Sequence, residues 1–355
     1  MQNKCSFDDF QYSFLNYFCT ANMNVYTDIN SLPEFTNAVI TTGSFDGVHS
    51  GHVQIIEQLI KEAELINGTP VIITFYPHPK QIVGPHLSLP TGQVGSPKER
   101  EIGDSSEEIT SSEKIYVLNT AAEKYELLQN RGIENIVVVP FDKAFSALTA
   151  DEYIKNFLVE KFHPAVVVVG YDHRFGNNRE GNFELLKKTG SEYKFEVHEI
   201  PEHVVKNATI SSTGIRKALL DGDIEKAESF LGYPYFFSGS VVSGNKLGRK
   251  LGYPTANLQI EDEQKLIPGN GVYAVDAELG NRKLKGMMNI GLRPTVGGTK
   301  RVIEVNIFDF DENIYGQTMK VILKKHLRNE IKFSGLDELK AQLAKDKEEA
   351  IRCKI

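Results

Sequence analysis

Short runs of consecutive apolar residues punctuate the first two-thirds of the chain: "AVITT" (38–42), "VIITF" (71–75), "IVVVP" (136–140) and "AVVVVG" (165–170). Runs without polar alternation predict strands buried on both faces, as in a parallel sheet. Between them the period is helical. "HVQIIEQLIKEAELING" sets Ile55, Ile56, Leu59, Ile60 and Ala63 on one stripe and is expected to end at Gly68. "TAAEKYELLQNRGI" repeats the pattern and stops near Gly132. Strand–helix alternation predicts a doubly wound α/β domain. Polar clusters follow the strands directly: "SFDGVHSGH", "YPHP", "FDKAF" and "YDHRFG". Open α/β sheets bind ligands at the carboxyl ends of their strands, so these clusters outline one site.

The rhythm breaks twice. Residues 84–112, rich in Gly, Pro, Ser and Glu, predict an exposed, disordered insertion, with a lid as the sharper alternative. After "ISSTGIRKALLDGDIEKAESFLG", expected as one helix ending at Gly232, strand-like segments take over. "FFSGSVVSG", "GVYAVDAEL", "KLKGMMNIG", "RVIEVNIFDF" and "MKVILKKHL" predict a small antiparallel barrel or sandwich. A charged helix, "LDELKAQLAKDKEEAIRCK", closes the chain with a solvated face. The expected organisation is a loose extension 1–22, a first domain 23–215, a linker helix 216–232 and a second domain 233–355. Met23 reads as the start of the first domain, or as a translation start.

Composition narrows the class. The 355 residues suffice for two cores, and 41% apolar with 25% charged is ordinary for a soluble protein. A net charge of −7 argues against a nucleic-acid partner. Cys5, Cys19 and Cys353 have neither metal nor redox spacing, which favours a reducing, cytoplasmic setting without disulfides. No apolar run has the length of a membrane span, and the first residues lack signal-peptide character. A homo-oligomer stays open.

The sharpest chemistry lies in "TTGSFDGVHSGH" (41–52). A helix opening near His49 would put His49 and His52 in its first turn, where free N–H groups and the helix dipole favour an anion. Gly43 and Gly47 let the backbone approach a bound group closely. Zinc is disfavoured: the metalloprotease pattern spaces its histidines four apart with an adjacent glutamate, whereas here the spacing is three with Ser50 and Gly51 between. In "ISSTGIR" (210–216), Ser211, Ser212 and Thr213 suit a helix cap, and Arg216 falls one turn into that helix, within reach of a triphosphate.

Together "GSFDGVHSGH" and "ISSTGIR" resemble the nucleotidylyltransferase superfamily. With "TFYPHP", "VVVPFDKAFSALTADEYI" and "VVVGYDHRFG", they resemble the FAD synthetase module of bacterial bifunctional riboflavin kinase/FAD synthetases. The resemblance implies a Rossmann-like domain that transfers AMP from ATP to the phosphate of FMN, with Mg²⁺, and releases pyrophosphate. It implies ATP contacts from Gly43, Phe45, Asp46, Gly47, His49, His52, Ser212 and Arg216. His49 and His52 would act on the transferred group. Asp172 is implied for Mg²⁺, beside a plain reading as a turn or cap aspartate. Phe75, Pro77, His78 and Pro79 would shape the flavin pocket, with Phe75 as plain core the alternative.

In the second domain, "GNKLGRKLGYPTANL" (244–258) is not a Walker loop, since three residues rather than four separate Gly244 from Gly248. Thr255 and Asn257 alternate, so they share one strand face, and two neutral oxygen donors suit a Mg²⁺–nucleotide complex. In "RVIEVNIFDF", Glu304 shares a face with Val302, Asn306 and Phe308, either as a functional carboxylate or on an exposed edge. "GYPTANL", "NIGLRPTVGG", "VIEVNIFDF", "YGQTMKV" and "HLRNEIKFSGLDELKAQLAKD" together resemble riboflavin kinase along its length. This implies a six-stranded barrel with Glu304 as the base for the ribityl hydroxyl and Thr255 and Asn257 on Mg²⁺–ATP. Gly248, Arg249 and Lys250 would form a loop over the nucleotide. Asn289, Arg293 and Thr295 would sit in a neighbouring loop at the flavin, which Arg328 and Glu330 would border.

The expected function is therefore riboflavin to FMN in the second domain and FMN to FAD in the first, with riboflavin, FMN, FAD and ATP as ligands. A transferase for another phosphorylated substrate explains the first motifs but leaves "TFYPHP" and the second domain unexplained. A degenerate flavin or nucleotide sensor should have lost His49, His52, Thr255, Asn257 or Glu304, and all are present.

Overall fold

The computed structural model describes residues 23–83, 116–201, 211–244, 247–295 and 298–353. The extension 1–22 and the insertion 84–112 lie outside them, as do the side chains of Lys250 and Thr295.

The four apolar runs form the centre of a six-stranded parallel sheet. Its strands are β1 (Asn24–Tyr26), β2 (Val39–Thr42), β3 (Pro70–Tyr76), β4 (Asn135–Pro140), β5 (Val166–Gly170) and β6 (Glu196–Ile200), in the order β1-β4-β3-β2-β5-β6. Alternate residues enter opposite cores. Ile40, Val71, Ile73, Val137 and Val167 pack on one face, and Val39, Ile72, Ile136, Val166 and Val168 on the other. That double burial is why the runs show no polar alternation. The edge strands β1 and β6 carry no apolar run and were not foreseen; each pairs on one side only.

Helix α1 (Ser50–Leu65) buries Val53, Ile56, Leu59 and Ala63, leaves Ile55 and Ile60 at the margin, and stops before Gly68. Helix α2 (Ala121–Gln129) starts at a capping box: Thr120 Oγ1 accepts from the Glu123 N–H, and Glu123 accepts from the Thr120 N–H. Helix α3 (Phe183–Tyr193) leads into β6.

The expected single linker helix 216–232 is two helices, α4 (Ser212–Leu220) and α5 (Ile224–Leu231). Gly222, at φ +78°, turns the chain, and Asp223 caps α5 by accepting from the Lys226 N–H at 3.1 Å. Neither is a free tether. Ile215, Leu219, Ile224 and Leu231 share one core with Tyr235, Tyr273 and Leu323 of the following half.

That half is a closed antiparallel barrel: β7 (Phe236–Val242), β8 (Ala256–Gln259), β9 (Gly271–Leu279), β10 (Arg282–Thr295), β11 (Gly298–Ile307) and β12 (Thr318–Arg328), ordered β10-β11-β8-β7-β12-β9. Closure decides between barrel and sandwich and leaves no strand edge. Two expectations are corrected. Asn289, Arg293 and Thr295 lie on the long strand β10 rather than in a loop, because the ladder to β11 runs through Thr295. The segment expected as a loop over Gly248–Lys250 contains a short helix, Leu247–Leu251. Helix α6 (Leu336–Arg352) lies on the outer barrel face, where Ala350 packs with Ala274, Met287 and Phe308.

Candidate active sites

The strand order sets the first site. From β2 the chain moves outward through β3 to β4 on one side, then returns to β5 and β6 on the other. A topological switch point therefore lies between β2 and β5, where carboxyl-end loops diverge and leave a crevice. Residues 43–49 leave β2 at that crevice. Thr42 marks it from below, accepting from the Tyr153 hydroxyl at 3.0 Å with His173 Nε2 at 3.5 Å.

The loop is held in an unusual conformation. Phe45, Gly47 and Val48 have φ of +46°, +89° and +36°. A β-branched residue in the left-handed region is strained, and such strain persists only where surroundings over-determine it. They do so here. Gly47 has no room for a side chain, since a Cβ would lie 2.7 Å from Leu118 Cδ1. The Gly47 carbonyl accepts from the Tyr233 hydroxyl at 2.6 Å. Asp46, 2% exposed, accepts from the Leu118 N–H at 2.8 Å and from Arg216.

His49 is the N-cap of α1 and His52 lies in its first turn. Their rings stack with centroids 3.8 Å apart, and Phe45 lies against His52. Both Nδ1 atoms are buried without a hydrogen-bond partner. Burial pushes the His49 pKa down to about 4, against the pull of Asp46. Burial, then the charges of His49 and Lys124, hold His52 well below the ordinary range. At neutral pH both rings are uncharged and each offers one N–H donor. Buried polar atoms left without a partner cost about 1–3 kcal/mol each, so a pair of them at a helix start points to a ligand that satisfies the rings.

"ISSTGIR" meets this loop. Ser211 caps α4 by accepting from the Gly214 N–H, and the Ser212 hydroxyl donates to the Asp46 carbonyl at 3.0 Å. Arg216 pairs with Asp46 and donates to the Tyr116 carbonyl at 2.8 Å. Beside them, a pocket is lined by Asp46, Phe75, Tyr76, His78 and Lys124, with Asp262 and Gln264 of the barrel half at one side. Phe75 is both pocket wall and core, since it packs edge-on against Phe141. Burial lowers His78 to about 4, with Asp46 opposing. Pro77 and Pro79 flank His78, and Pro79 opens a short helix, Pro79–Val83. Asp172 is exposed on the turn after β5. Lys124 and His173 went unassigned: one sits in an ordinary amphipathic helix pattern, the other in a cluster without motif spacing.

The second site is a row of side chains across three strands. Register sets Glu304 of β11 opposite Asn257 of β8 on one side and Asn289 of β10 on the other. Ile303, Val305, Leu258, Met288 and Ile290 point into the barrel core, so this row faces outward. Gly291 lacks a Cβ where the Glu330 carboxylate lies, beside the Asn289 amide. Glu330 thereby joins the row. Gly244 likewise leaves space for the Asn257 side chain, which is 7% exposed. Arg293 donates to Glu304 Oε2 at 2.8 Å. Arg328 clamps Asp346 of α6 with bonds of 2.8–3.1 Å, which ties the terminal helix to β12. Thr255 and Arg249 line an adjacent groove with Phe310 and Tyr315.

The two halves match two family models in the same order: FAD synthetase over residues 32–214 and riboflavin kinase over residues 231–354. The chain belongs to the bifunctional riboflavin kinase/FMN adenylyltransferase family. It is 38% identical to the enzyme of that name from Buchnera aphidicola subsp. Schizaphis graminum, over 91% of this chain and 96% of the relative. It is also 38% identical to the one from Escherichia coli strain K12, over 87% and 90%. A crystal structure described as a macrolide-efflux protein from Streptococcus pneumoniae shares the fold at TM-score 0.77 and 30% identity, over 93% of this chain and 99% of that one. No helix among the described residues is long and apolar enough to cross a membrane.

Proposed function

We propose that the family's two reactions run at these two separate sites, within domains spanning 23–215 and 233–355 and joined by 216–232. Riboflavin and ATP give FMN and ADP at the barrel; FMN and ATP give FAD and pyrophosphate at the sheet.

At the sheet, the FMN phosphate attacks the α-phosphorus of ATP. No protein nucleophile is required, so the protein's contribution is positioning and charge stabilisation. His49 and His52 each donate a ring N–H hydrogen bond to phosphate oxygens at the start of α1, where backbone N–H groups add to the cradle. Gly43, Phe45, Asp46 and Gly47 shape the loop. Ser212 and Arg216 reach the β- and γ-phosphates once ATP draws the guanidinium from Asp46. Phe75, Pro77, His78 and Pro79 flank the flavin. The unpartnered Nδ1 pair carries this assignment.

At the barrel, Glu304 takes the proton of the ribityl 5′-hydroxyl as that oxygen attacks the γ-phosphorus. Its placement between Asn257 and Asn289 on one outward face carries this assignment. The Arg293 pair occupies Oε2, so Arg293 moves onto substrate when Glu304 acts as base. Asn289, Thr295, Arg328 and Glu330 border the flavin, and Gly248, Arg249 and Lys250 the nucleotide.

Mg²⁺, when bound, offsets phosphate charge. Thr255 and Asn257 suit it as neutral oxygen donors alongside ATP phosphates. Among the described residues no three His, Cys, Asp or Glu side chains converge into a metal site, and Asp172, exposed on the turn after β5, is the sheet-half residue we assign to Mg²⁺. The phosphates would therefore supply most of the coordination. Scattered cysteines and net charge −7 favour a cytoplasmic enzyme without a nucleic-acid partner.

The test is direct. Pure protein incubated with riboflavin, ATP and Mg²⁺ should yield FMN, then FAD, when the flavins are separated by chromatography. FMN accumulating without FAD would remove the adenylyl assignment, and no FMN would remove the kinase assignment.

A further inference from the structure

Lys124 lies on α2, a helix that contributes nothing to either nucleotide motif. Its ammonium donates to the Ser44 carbonyl at 2.8 Å and to Thr74 Oγ1 at 3.2 Å. Thr74, 1% exposed, also donates to the Ser44 carbonyl at 3.2 Å. One cation thus ties the loop after β2 to the end of β3 and lines the pocket beside His78. An ammonium has three donors. Two meet protein acceptors among the described residues, and the third remains for a ligand.

Charge balance points the same way. Asp46 is the anion that faces Lys124, but Asp46 is already paired with Arg216. The three groups together carry one net positive charge in a desolvated place. A desolvated cation without its own counter-ion is costly unless an anion arrives. Desolvation lowers its pKa to about 8, and its charge opposes protonation of His52 and His78.

We infer that Lys124 is the half-buried cation of the adenylyl-transfer site, a positioning residue that holds the Ser44 loop and draws the ATP phosphates that leave as pyrophosphate toward His49 and His52. This rests on the assignment of adenylyl transfer to that loop.

The experiment follows FAD formation from supplied FMN, with pyrophosphate and adenosine as separate inhibitors against ATP. Lys124→Gln keeps a donor for Ser44 and removes the charge, whereas Lys124→Arg keeps the charge. The glutamine variant should need about tenfold more pyrophosphate or beyond for the same inhibition, with adenosine inhibition within about twofold of wild type. The arginine variant should restore most of the pyrophosphate effect. A purely structural tie would weaken both inhibitors alike, and that result, or unchanged pyrophosphate inhibition, overturns the inference.

Wild-type protein gives a reading that needs no variant to fold. The titratable groups facing Lys124 are Asp46, His52 and His78, the two histidines neutral across this range, with Arg216 paired to Asp46 behind them. Pyrophosphate inhibition should weaken as pH rises through about 8, where the ammonium loses its proton, while adenosine inhibition stays level. Pyrophosphate inhibition that strengthens or holds across that range counts against it. His52→Ala separates the two failures. Unchanged FAD formation in that variant sinks the site assignment; lost FAD formation there, with unchanged pyrophosphate inhibition in Lys124→Gln, sinks only this inference.

Discussion

Arg216 of α4 closes onto Asp46 of the loop after β2, a pairing across 170 residues that joins the chain's two nucleotide motifs. The carboxylate also accepts from the Leu118 N–H, so it is satisfied before any ligand enters. Its place is architectural: it orients the arginine and braces the loop. At the proposed site a triphosphate would compete with it for the guanidinium. His49 and His52 stand on the other side of the same loop with their Nδ1 atoms unmet. The loop is therefore braced on one side and open to an acceptor on the other.

Removing a donor from the open side should cost rate. His52→Ala should lower FAD formation from supplied FMN on the order of 10²-fold or more, as loss of a transition-state hydrogen-bond donor does elsewhere. FMN formation from riboflavin should stay within about twofold, because the barrel row shares no residue with the loop. Following each flavin separately by chromatography checks this. Parallel loss of both products in a folded variant would contradict two sites.

The reciprocal variant tests the barrel. Glu304→Ala should reduce FMN formation by about 10²-fold or more while FAD is still made from added FMN. It also frees Arg293 from its partner. An Arg293→Ala variant should therefore raise the KM for substrate more than it lowers kcat, if Arg293 meets substrate once it leaves Glu304. Steady-state kinetics of FMN formation decide it.

Acid should destabilise the fold through its buried histidines. His49, His78 and His173 are each pushed down to about 4, burial being the largest cause, from an unfolded value of 6.5. Between those values the unfolded chain binds protons that the folded one refuses, so stability is full above pH 6.5 and is lost as pH falls toward 4. Each histidine contributes at most on the order of 3 kcal/mol, less for the partly exposed His78 and His173. Thermal melts should show Tm falling steadily below about pH 6.5, and His49→Gln should flatten that slope. FAD formation should show no inflection near 6.5 from these groups.

The halves should melt as one unit. Lys265 of the barrel half is fully buried and donates to Glu123 and the Leu118 carbonyl, each at 2.6 Å, and to the Phe236 carbonyl at 2.9 Å. Lys265→Met leaves Glu123 buried without its cation and should cost about 3–5 kcal/mol. Adding Glu123→Gln should return part of that. Calorimetry should record one transition that shifts as a whole; two separated transitions in the wild type would show that the shared core around Leu219 and Tyr235 does not couple the halves.

Much of this was legible along the chain. Val39–Thr42, Pro70–Tyr76, Asn135–Pro140 and Val166–Gly170 stood out because both faces of a central parallel strand are dry. The β1 and β6 edges did not, since an edge strand needs little apolar surface. One helix was expected where Gly222 and Asp223 make two. Arg293 and Asn289 were expected in a loop from the resemblance to riboflavin kinase, yet the barrel ladder carries β10 through them.

Residue order by itself determined the strand–helix alternation, the glycine loop before the His49 helix, the alternation that puts Glu304 and Asn306 on one face, and the sequence of two domains. These depend on periods of two and 3.6 and on short spacings, which neighbouring residues impose through backbone geometry. Tertiary structure alone decided that Arg216 meets Asp46, that Lys124 reaches Ser44, that Glu304 stands between Asn257 and Asn289, and that Lys265 seals the two halves together. Those are encounters between residues far apart in the chain. Burial and desolvation, which set their charge and their partners, exist only once the sheet and barrel have closed around them.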